Sequence, residues 1–403
     1  MHYNININLG CIRFHMQRIN FTLCYNFTCM NRNIFRNLTL SAILLAGCAS
    51  SPSPAAPAVQ TFQNVSIDSG FDTVITLVEQ TADQEAFQSH YNTMCGQFSR
   101  YNSLFDIYNS YEGIANLKTI NDNAGVAPVS VSEDVIAMLE EAKEMYELSG
   151  GAFDITMGSV LQVWHRYRED GIAANEQGKR GSLPDPAELE AAAAHRGFEH
   201  VIIDRGAGTV FIDDARVSLD AGGIAKGFAA EQTAKVLEQD GADHAAVNAG
   251  GNNRTIGAKA DGSPWNVGIQ NPDGQGSLFV VRVTGTNSFV TSGDYERYYI
   301  AEGDVKLHHI IDPATNMPAD RYRSVTIITP DSGAADALST ALFVLPIEEG
   351  TELLKKYTEK TGDPADAIWI MSKDRTQEAA HTQRLGLYTV AWTDALDGSL
   401  VWN

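Results

Sequence analysis

The run SLDAGGIAKG at 218–227 puts Asp220 at the end of a strand-like segment, then Gly222 and Gly223, then a single lysine, Lys226, before Gly227. Glycines let backbone N–H groups come close to a ligand, and a lysine beside them adds positive charge, so the run suits a bulky anion. A tight turn leading into a helix uses the same residues. Further along, AADALSTALFVL sets Asp336 and Thr340 four residues apart, on one face of a helix. A carboxylate and a hydroxyl there offer two hard oxygens of the kind Mg²⁺ accepts while it shares a ligand's phosphates. The same pair also reads as a first-turn aspartate favouring the helix dipole and a threonine bonded back to its own helix.

Three more runs carry polar residues in places where chemistry is possible. His308 and His309 precede Ile310-Ile311-Asp312-Pro313, and strand alternation would put 309 and 311 on one face and 308, 310 and 312 on the other. GAFDITMGSV (151–160) holds Asp154 in a glycine-flanked stretch after a helix, either a binding position or an N-cap. VNAGGNNRTIG (247–257) carries Gly250 and Gly251 at a strand end, where a ligand can approach a sheet or a plain loop can turn.

These residues need elements that bring them side by side. FDTVITLV (71–78) is strand-like, and Phe87, Tyr91, Met94, Phe98, Tyr101 and Phe105 recur at helical spacing, which predicts an amphipathic core helix. A second helix is expected from near Ser132 to Ser149-Gly150-Gly151. Residues 165–200 are charged and poor in large apolar groups, and end in an expected surface helix, PDPAELEAAAAHRGF. Residues 201–213 read as a hairpin. Beyond Val217, the strand-like AAVNAGG, WNVGIQ, LFVVRVTG and SVTIITP are interspersed with the helical FAAEQTAKVLEQ, AADALSTALFVL and EEGTELLKKYTEK. Strands outnumber helices and several adjoin by short turns, so the expected class is α+β: mixed, largely antiparallel sheets with packed helices.

The first 47 residues hold no Asp or Glu and four basic residues, and so stand apart from the rest of the chain. Within them a basic start (Arg32, Arg36), a short apolar run from Leu38 to Ala46 and small residues before Cys48 form a secretory signal layout over 1–47. Residues 1–29 add nothing such a signal needs, and Met30 is its natural start. Leu45-Ala46-Gly47-Cys48 resembles a bacterial lipobox, with Cys48 the lipidated residue; the apolar run itself is too short to span a membrane. A Ser/Pro/Ala tether is expected over 48–62, and a folded body over 63–403.

Of five cysteines, only Cys95 would remain free in the mature body, which excludes an intramolecular disulfide framework. Removing the four leader basics from 29 leaves 25 Lys+Arg against 50 Asp+Glu, a net charge of −25. Such a surface argues against nucleic acid as a partner and limits membrane attachment to the lipid anchor.

Taken together and in order, SLDAGGIAKGFAAE, VNAGGNNRTIG, TSGDYERYY, HHIIDPATNMP and ADALSTALFVL resemble the successive motifs of the ApbE-type flavin transferases, over roughly Phe71 to Trp392. The resemblance implies a T-fold-related, often lipid-anchored bacterial enzyme facing the periplasm. It would bind FAD with Mg²⁺, cleave its pyrophosphate, release AMP and pass FMN to a threonine or serine of a partner, such as a membrane redox-complex subunit. Relatives that mainly hydrolyse FAD to FMN and AMP are an alternative, as is a flavin-binding protein without catalysis.

Carried onto this chain, the motifs imply flavin-nucleotide contacts at Tyr108, Ala152, Phe153, Asp154, Lys226, Glu231, Gly250, Gly251, Ser292, Gly293 and His309. Metal ligands would be Asp336, Thr340 and the backbone carbonyl of Gly223. The candidate base is His309, with Asp312 orienting it or holding the turn. Phe71-Asp72-Thr73 stands where the family usually has Met-Gly-Thr, Phe228 and Glu231 where it has tyrosine and aspartate, and Asn316 where it has glycine after the threonine.

Overall fold

The computed structural model describes residues 58–375 and 377–402. The expected signal, Cys48 and most of the tether lie outside the described residues. The tether ends earlier than expected, because the first strand already begins at Gln60.

A nine-stranded sheet forms the frame. Its strands are β1 (Gln60–Ser66), β2 (Ile75–Thr81), β3 (Ala245–Ala249), β4 (Asn252–Ile256), β5 (Ser288–Gly293), β6 (Ser324–Thr329), β7 (Asp366–Ser372), β8 (His381–Leu385) and β9 (Tyr388–Trp392). They lie in the order β1-β2-β3-β4-β5-β6-β7-β9-β8, with every neighbouring pair antiparallel. The α+β class expected from the sequence is the one observed.

The helices are α1 (Gln84–Phe105), α2 (Leu117–Asp122), α3 (Glu133–Leu148), α4 (Gly158–Glu176), α5 (Pro186–Ala193), α6 (Ala225–Gln239), α7 (Ser332–Val344) and α8 (Ile347–Thr361). Phe87, Met94, Phe98, Tyr101 and Phe105 of α1 enter the main core as their spacing predicts, while half-buried Tyr91 reaches the carbonyl of Val65 at 2.9 Å. α7 is buried almost all round, since it lies between α6 and strands β5 and β6.

Strand β7 shows why this sheet reads as continuous apolar runs: Ala367, Trp369 and Met371 enter the main core, whereas Ile368 and Ile370 enter a second one. The second core lies against a three-stranded sheet of Trp265–Gln270, Ser277–Val283 and Leu400–Trp402. A third, smaller core joins Val160, Val163 and Trp164 of α4 to Tyr299 and Leu307 of the short strands Tyr298–Ile300 and Lys306–His308.

Three local expectations change. The strand read at 71–78 begins only at Ile75, because Gly70, Phe71 and Asp72 take positive φ values of 104°, 59° and 49° and cannot continue an extended ladder. The charged stretch from 165 is the second half of α4, whose first half supplies the third core. The strand expected through 308–312 is two strands, Lys306–His308 and Ile311–Asp312, so side-chain alternation breaks at His309. No helix among the described residues is long and apolar enough to cross a membrane.

Candidate active site

The site is built where α6 begins against α7. Lys226, read from the sequence as a loop residue, lies in the first turn of α6. That helix starts at Ile224 without a side-chain cap of its own, which leaves amide donors in its first turn to be satisfied from elsewhere. Asp336 satisfies one: its Oδ2 accepts the Gly227 N–H at 2.9 Å. The two helices meet this closely only because residue 227 is glycine, since a Cβ there would lie 2.2 Å from the Ser332 carbonyl oxygen and 2.6 Å from the Cβ of Asp336.

Asp336 is therefore not the first-turn aspartate of its own helix. α7 begins at Ser332 and is capped by Asp331, whose Oδ1 accepts the Ala334 N–H at 3.0 Å, so Asp336 falls in the second turn. Lys226 Nζ stands 4.0 Å from Asp336 Oδ2 and 3.5 Å from the Gly222 carbonyl oxygen. Thr340, one turn further on, bonds back to the Asp336 carbonyl at 3.3 Å while its hydroxyl faces the glycine loop: a Cβ on Gly223 would lie 3.1 Å from Thr340 Oγ1 and 3.2 Å from the Phe153 ring.

These oxygens fit a hard cation. Asp336 keeps a carboxylate oxygen beyond the one bonded to Gly227, Thr340 adds a hydroxyl, and the 222–223 backbone adds a carbonyl. Among the described residues no cluster of three or more His, Cys, Asp or Glu side chains could hold a metal, which accords with a site having one carboxylate and neutral oxygen donors.

Next to this corner lies a group of charged and aromatic side chains. The Nδ1 of His309 is buried without a hydrogen-bond partner. Burial first, then the charges of Arg297, His308, Arg168 and Lys226, hold its pKa well below the ordinary value, so the ring is neutral. Its neighbour His308 is structural, with Nε2 donating to the Ala319 carbonyl at 2.6 Å and Nδ1 accepting the Ile310 N–H at 3.2 Å. Asp312 holds the following turn, accepting the Ala314 N–H at 2.8 Å, and so does not orient His309; Asn316 in that turn has the left-handed φ of 57°. Tyr108 is largely exposed and lays its ring 5.5 Å from that of His165 on α4. Burial raises the pKa of Asp220, which Gly222 N–H bonds at 2.9 Å and which feels the charges of His165, Arg168 and Arg297.

Other residues expected in the site have different work. Glu231 is turned into the core, where its carboxylate takes two hydrogen bonds from Arg254 at 2.7 and 3.1 Å and the Ser332 N–H at 3.0 Å, leaving it no reach towards a nucleotide. The pairing with Arg254 outweighs burial and lowers its pKa. Gly250 and Gly251, with φ of 58° and 99°, form the two-residue turn of the β3–β4 hairpin, and a Cβ on Gly250 would lie 2.0 Å from Thr73 Oγ1. Ser292 ties β5 to α7 through a 2.8 Å bond to Ser339, whose hydroxyl donates to the Asp336 carbonyl, and neighbouring Gly293 lies under the Tyr295 ring. Asp154 accepts from Thr156 N–H and hydroxyl at 2.8 and 2.6 Å, and burial raises its pKa. Ala152 and Phe153 precede it, and Phe153 alone of these reaches the glycine loop.

Sequence reasoning missed Arg168, His165 and Asp220 as site residues. The signal that could have found the first two is the i, i+3 pairing of His165 with Arg168 on one helical face, hidden in a stretch that reads as solvated. A polar cavity of about 180 Å³ behind His308 is a separate feature, where Lys306 and Arg323 pair with Asp294, Arg375 pairs with Asp320, and Arg321 donates to the Val344 carbonyl.

An antiparallel α+β scaffold thus brings a glycine loop, a lysine and hard-oxygen donors together at one helix junction. Comparison with known proteins gives the family. The ApbE family profile matches residues 71–362. The chain is 37% identical over 280 residues to the FAD:protein FMN transferase of Treponema pallidum, covering 66% of this chain and 73% of that protein. It is 32% identical over 292 residues to one from Klebsiella pneumoniae, covering 70% and 85%. The ApbE protein of Thermotoga maritima superposes with a TM-score of 0.68 at 27% identity, over 84% of this chain and 99% of that one. The flavin transferase ApbE from Vibrio cholerae shares the fold at a TM-score of 0.64 and 23% identity, over 85% and 99%. The chain belongs to the ApbE family, as the resemblance of its motifs to the ApbE-type flavin transferases implied.

Proposed function

We propose that this chain transfers FMN from FAD to a threonine or serine hydroxyl of a partner protein and releases AMP, using Mg²⁺. The observation that carries the reading is the α6–α7 junction: Asp336, Thr340 and the Gly223 backbone within reach of one another, Lys226 at 4.0 Å from Asp336, and an unpartnered neutral His309 alongside.

Bound at Asp336, Thr340 and the Gly223 carbonyl, Mg²⁺ would neutralise the pyrophosphate oxygens. Lys226 holds the dinucleotide against the 220–223 loop. The acceptor hydroxyl attacks the FMN-side phosphorus, the bond from that phosphorus to the bridging oxygen breaks, and the bridging oxygen leaves with AMP. The hydroxyl proton passes to His309 Nδ1. Burial is the larger cause of the lowered His309 pKa, and the smaller part owed to the neighbouring cations is offset once a dinucleotide's negative charge lies among them.

The acceptor fitting a lipid-anchored, periplasm-facing enzyme is a membrane redox-complex subunit. The anchor itself, Cys48 in the LAGC run after a short signal, is part of the same proposal. The test is incubation with FAD, Mg²⁺ and such a subunit, with in-gel flavin fluorescence and AMP both measured. Covalently fluorescent acceptor that disappears on chelation supports the transferase. Free FMN and AMP with an unlabelled acceptor would replace it with a pyrophosphatase, and FAD binding without turnover with a flavin-binding protein.

A further inference from the structure

Eight arginines among the described residues each have a carboxylate within 4.0 Å, as expected in a chain with 50 acidic residues against 29 basic ones. Arg168 and Arg297 have none, although both lie at the site. The packing that brings them there is specific: α4 rests on the strand Tyr298–Ile300, and Gly171, one turn beyond Arg168, lies under the Tyr299 ring so closely that a Cβ would be 2.2 Å from it. Arg297 immediately precedes that strand.

Arg168 is also held in a set direction. Its Nη2 donates to His165 Nδ1 at 2.7 Å, and His165 Nε2–H donates in turn to Glu169 at 2.9 Å, which fixes the imidazole as the Nε2–H tautomer. The remaining N–H groups of the guanidinium are free to bind. Burial and then the Arg297 charge lower the pKa of Arg168, and both arginines act on Asp220, Tyr108 and His309. Two like charges held together, with Glu169 and Asp220 as the nearby carboxylates, the first bonded to His165 and the second to Gly222, make a receptor for an anion.

We propose that Arg168 and Arg297 clamp the phosphate that leaves as AMP, an assignment that rests on the transfer reaction proposed above. In that reaction the FAD pyrophosphate carries two negative charges. The new phosphodiester keeps one, and AMP departs with two, so the leaving phosphate gains a charge as the bridging bond breaks. Lys226 and the metal ligands of α7 serve the phosphate that is attacked, and the arginine pair serves the one that is released. Guanidinium forks match a phosphate's oxygens two at a time, which a lysine does not.

The test uses the full chain with Arg168→Gln, Arg297→Gln and the corresponding lysine variants. AMP is the binding probe by calorimetry, alongside AMP release from FAD and thermal unfolding. AMP affinity should fall about 10- to 100-fold for each glutamine variant, with kcat falling, the acceptor KM unchanged and the melting temperature retained. The lysine variants should recover only part of the affinity. Unchanged AMP affinity in both glutamine variants would overturn the clamp, and so would losses that simply follow a lowered melting temperature. AMP binding decides this whether or not the wild type turns FAD over, while a wild type that binds AMP but releases none from FAD would sink the functional reading.

Discussion

Replacing Asp336 by alanine or by asparagine should separate two jobs that one carboxylate performs. Asp336 is 4% exposed, and its Oδ2 accepts the Gly227 N–H at 2.9 Å. Alanine removes the proposed metal ligand and also strands that amide in the first turn of α6. A buried donor left without a partner costs about 1–3 kcal/mol, more than the roughly 0.3–1 kcal/mol at stake for a first-turn charge interacting with its own helix dipole. Asparagine keeps one oxygen at the same place, so it preserves the bond to Gly227 while replacing the other, metal-facing oxygen with an NH2 group that cannot bind a cation. The expected pattern is that both variants lose AMP release from FAD, Asp336→Ala unfolds at lower temperature, and Asp336→Asn unfolds close to wild type. Turnover is measured across a Mg²⁺ titration. Near-normal activity of Asp336→Asn at ordinary Mg²⁺ would refute the metal assignment, and equal thermal losses in both variants would refute the capping role.

Four further outcomes follow from the same geometry. Lys226→Ala should weaken FAD binding by about 1–3 kcal/mol, the size of a charge-assisted hydrogen bond, in a fluorescence titration; unchanged affinity would return the loop to a structural role. Asp72 has φ of 49°, so Asp72→Val should cost about 1–2 kcal/mol in chemical denaturation whereas Asp72→Gly should cost nothing. Burial, then the Asp331 charge, raises the Glu141 pKa well above the carboxyl range, and its Oε1 has no partner. The folded chain therefore binds that proton more tightly than the unfolded chain, and stability contributed by Glu141 is full at low pH and lost as pH rises through the raised value. Glu141→Gln should remove that part of the pH dependence and raise the melting temperature at neutral pH, which thermal scans across pH would check. Cys48→Ser should abolish lipid attachment and leave an unprocessed or released protein on membrane fractionation.

What could be read from the sequence was whatever repeats at a fixed spacing or breaks in a distinctive way. The α1 stripe from Phe87 to Phe105 lies in the core because 3.6-residue periodicity is a direct consequence of burial on one side. Asp336 and Thr340 share a face for the same reason. Non-local partners were not legible. Glu231 looked like a ligand contact by position, but Arg254, twenty-three residues later and on a strand across from α6, claims its carboxylate. The cap on α6 comes from Asp336, 109 residues beyond Gly227, and no local pattern announces it.

The same limit explains why α4 escaped notice, and it gives the unpaired arginines their significance. A helix whose second half reads His-Arg-Tyr-Arg-Glu-Asp is indistinguishable, residue by residue, from a solvated surface. Its first half, through Val160, Val163 and Trp164, is what seats it on Tyr299, and that contact brings Arg168 to the strand that Arg297 precedes. In a chain with so large an acidic excess, eight of the fourteen arginines among the described residues have acquired a carboxylate partner. Two adjacent arginines that have not done so, one of them positioned through His165 and Glu169, keep their charge for a ligand that is absent from the sequence, and an anion brought in by the substrate is the partner their setting fits.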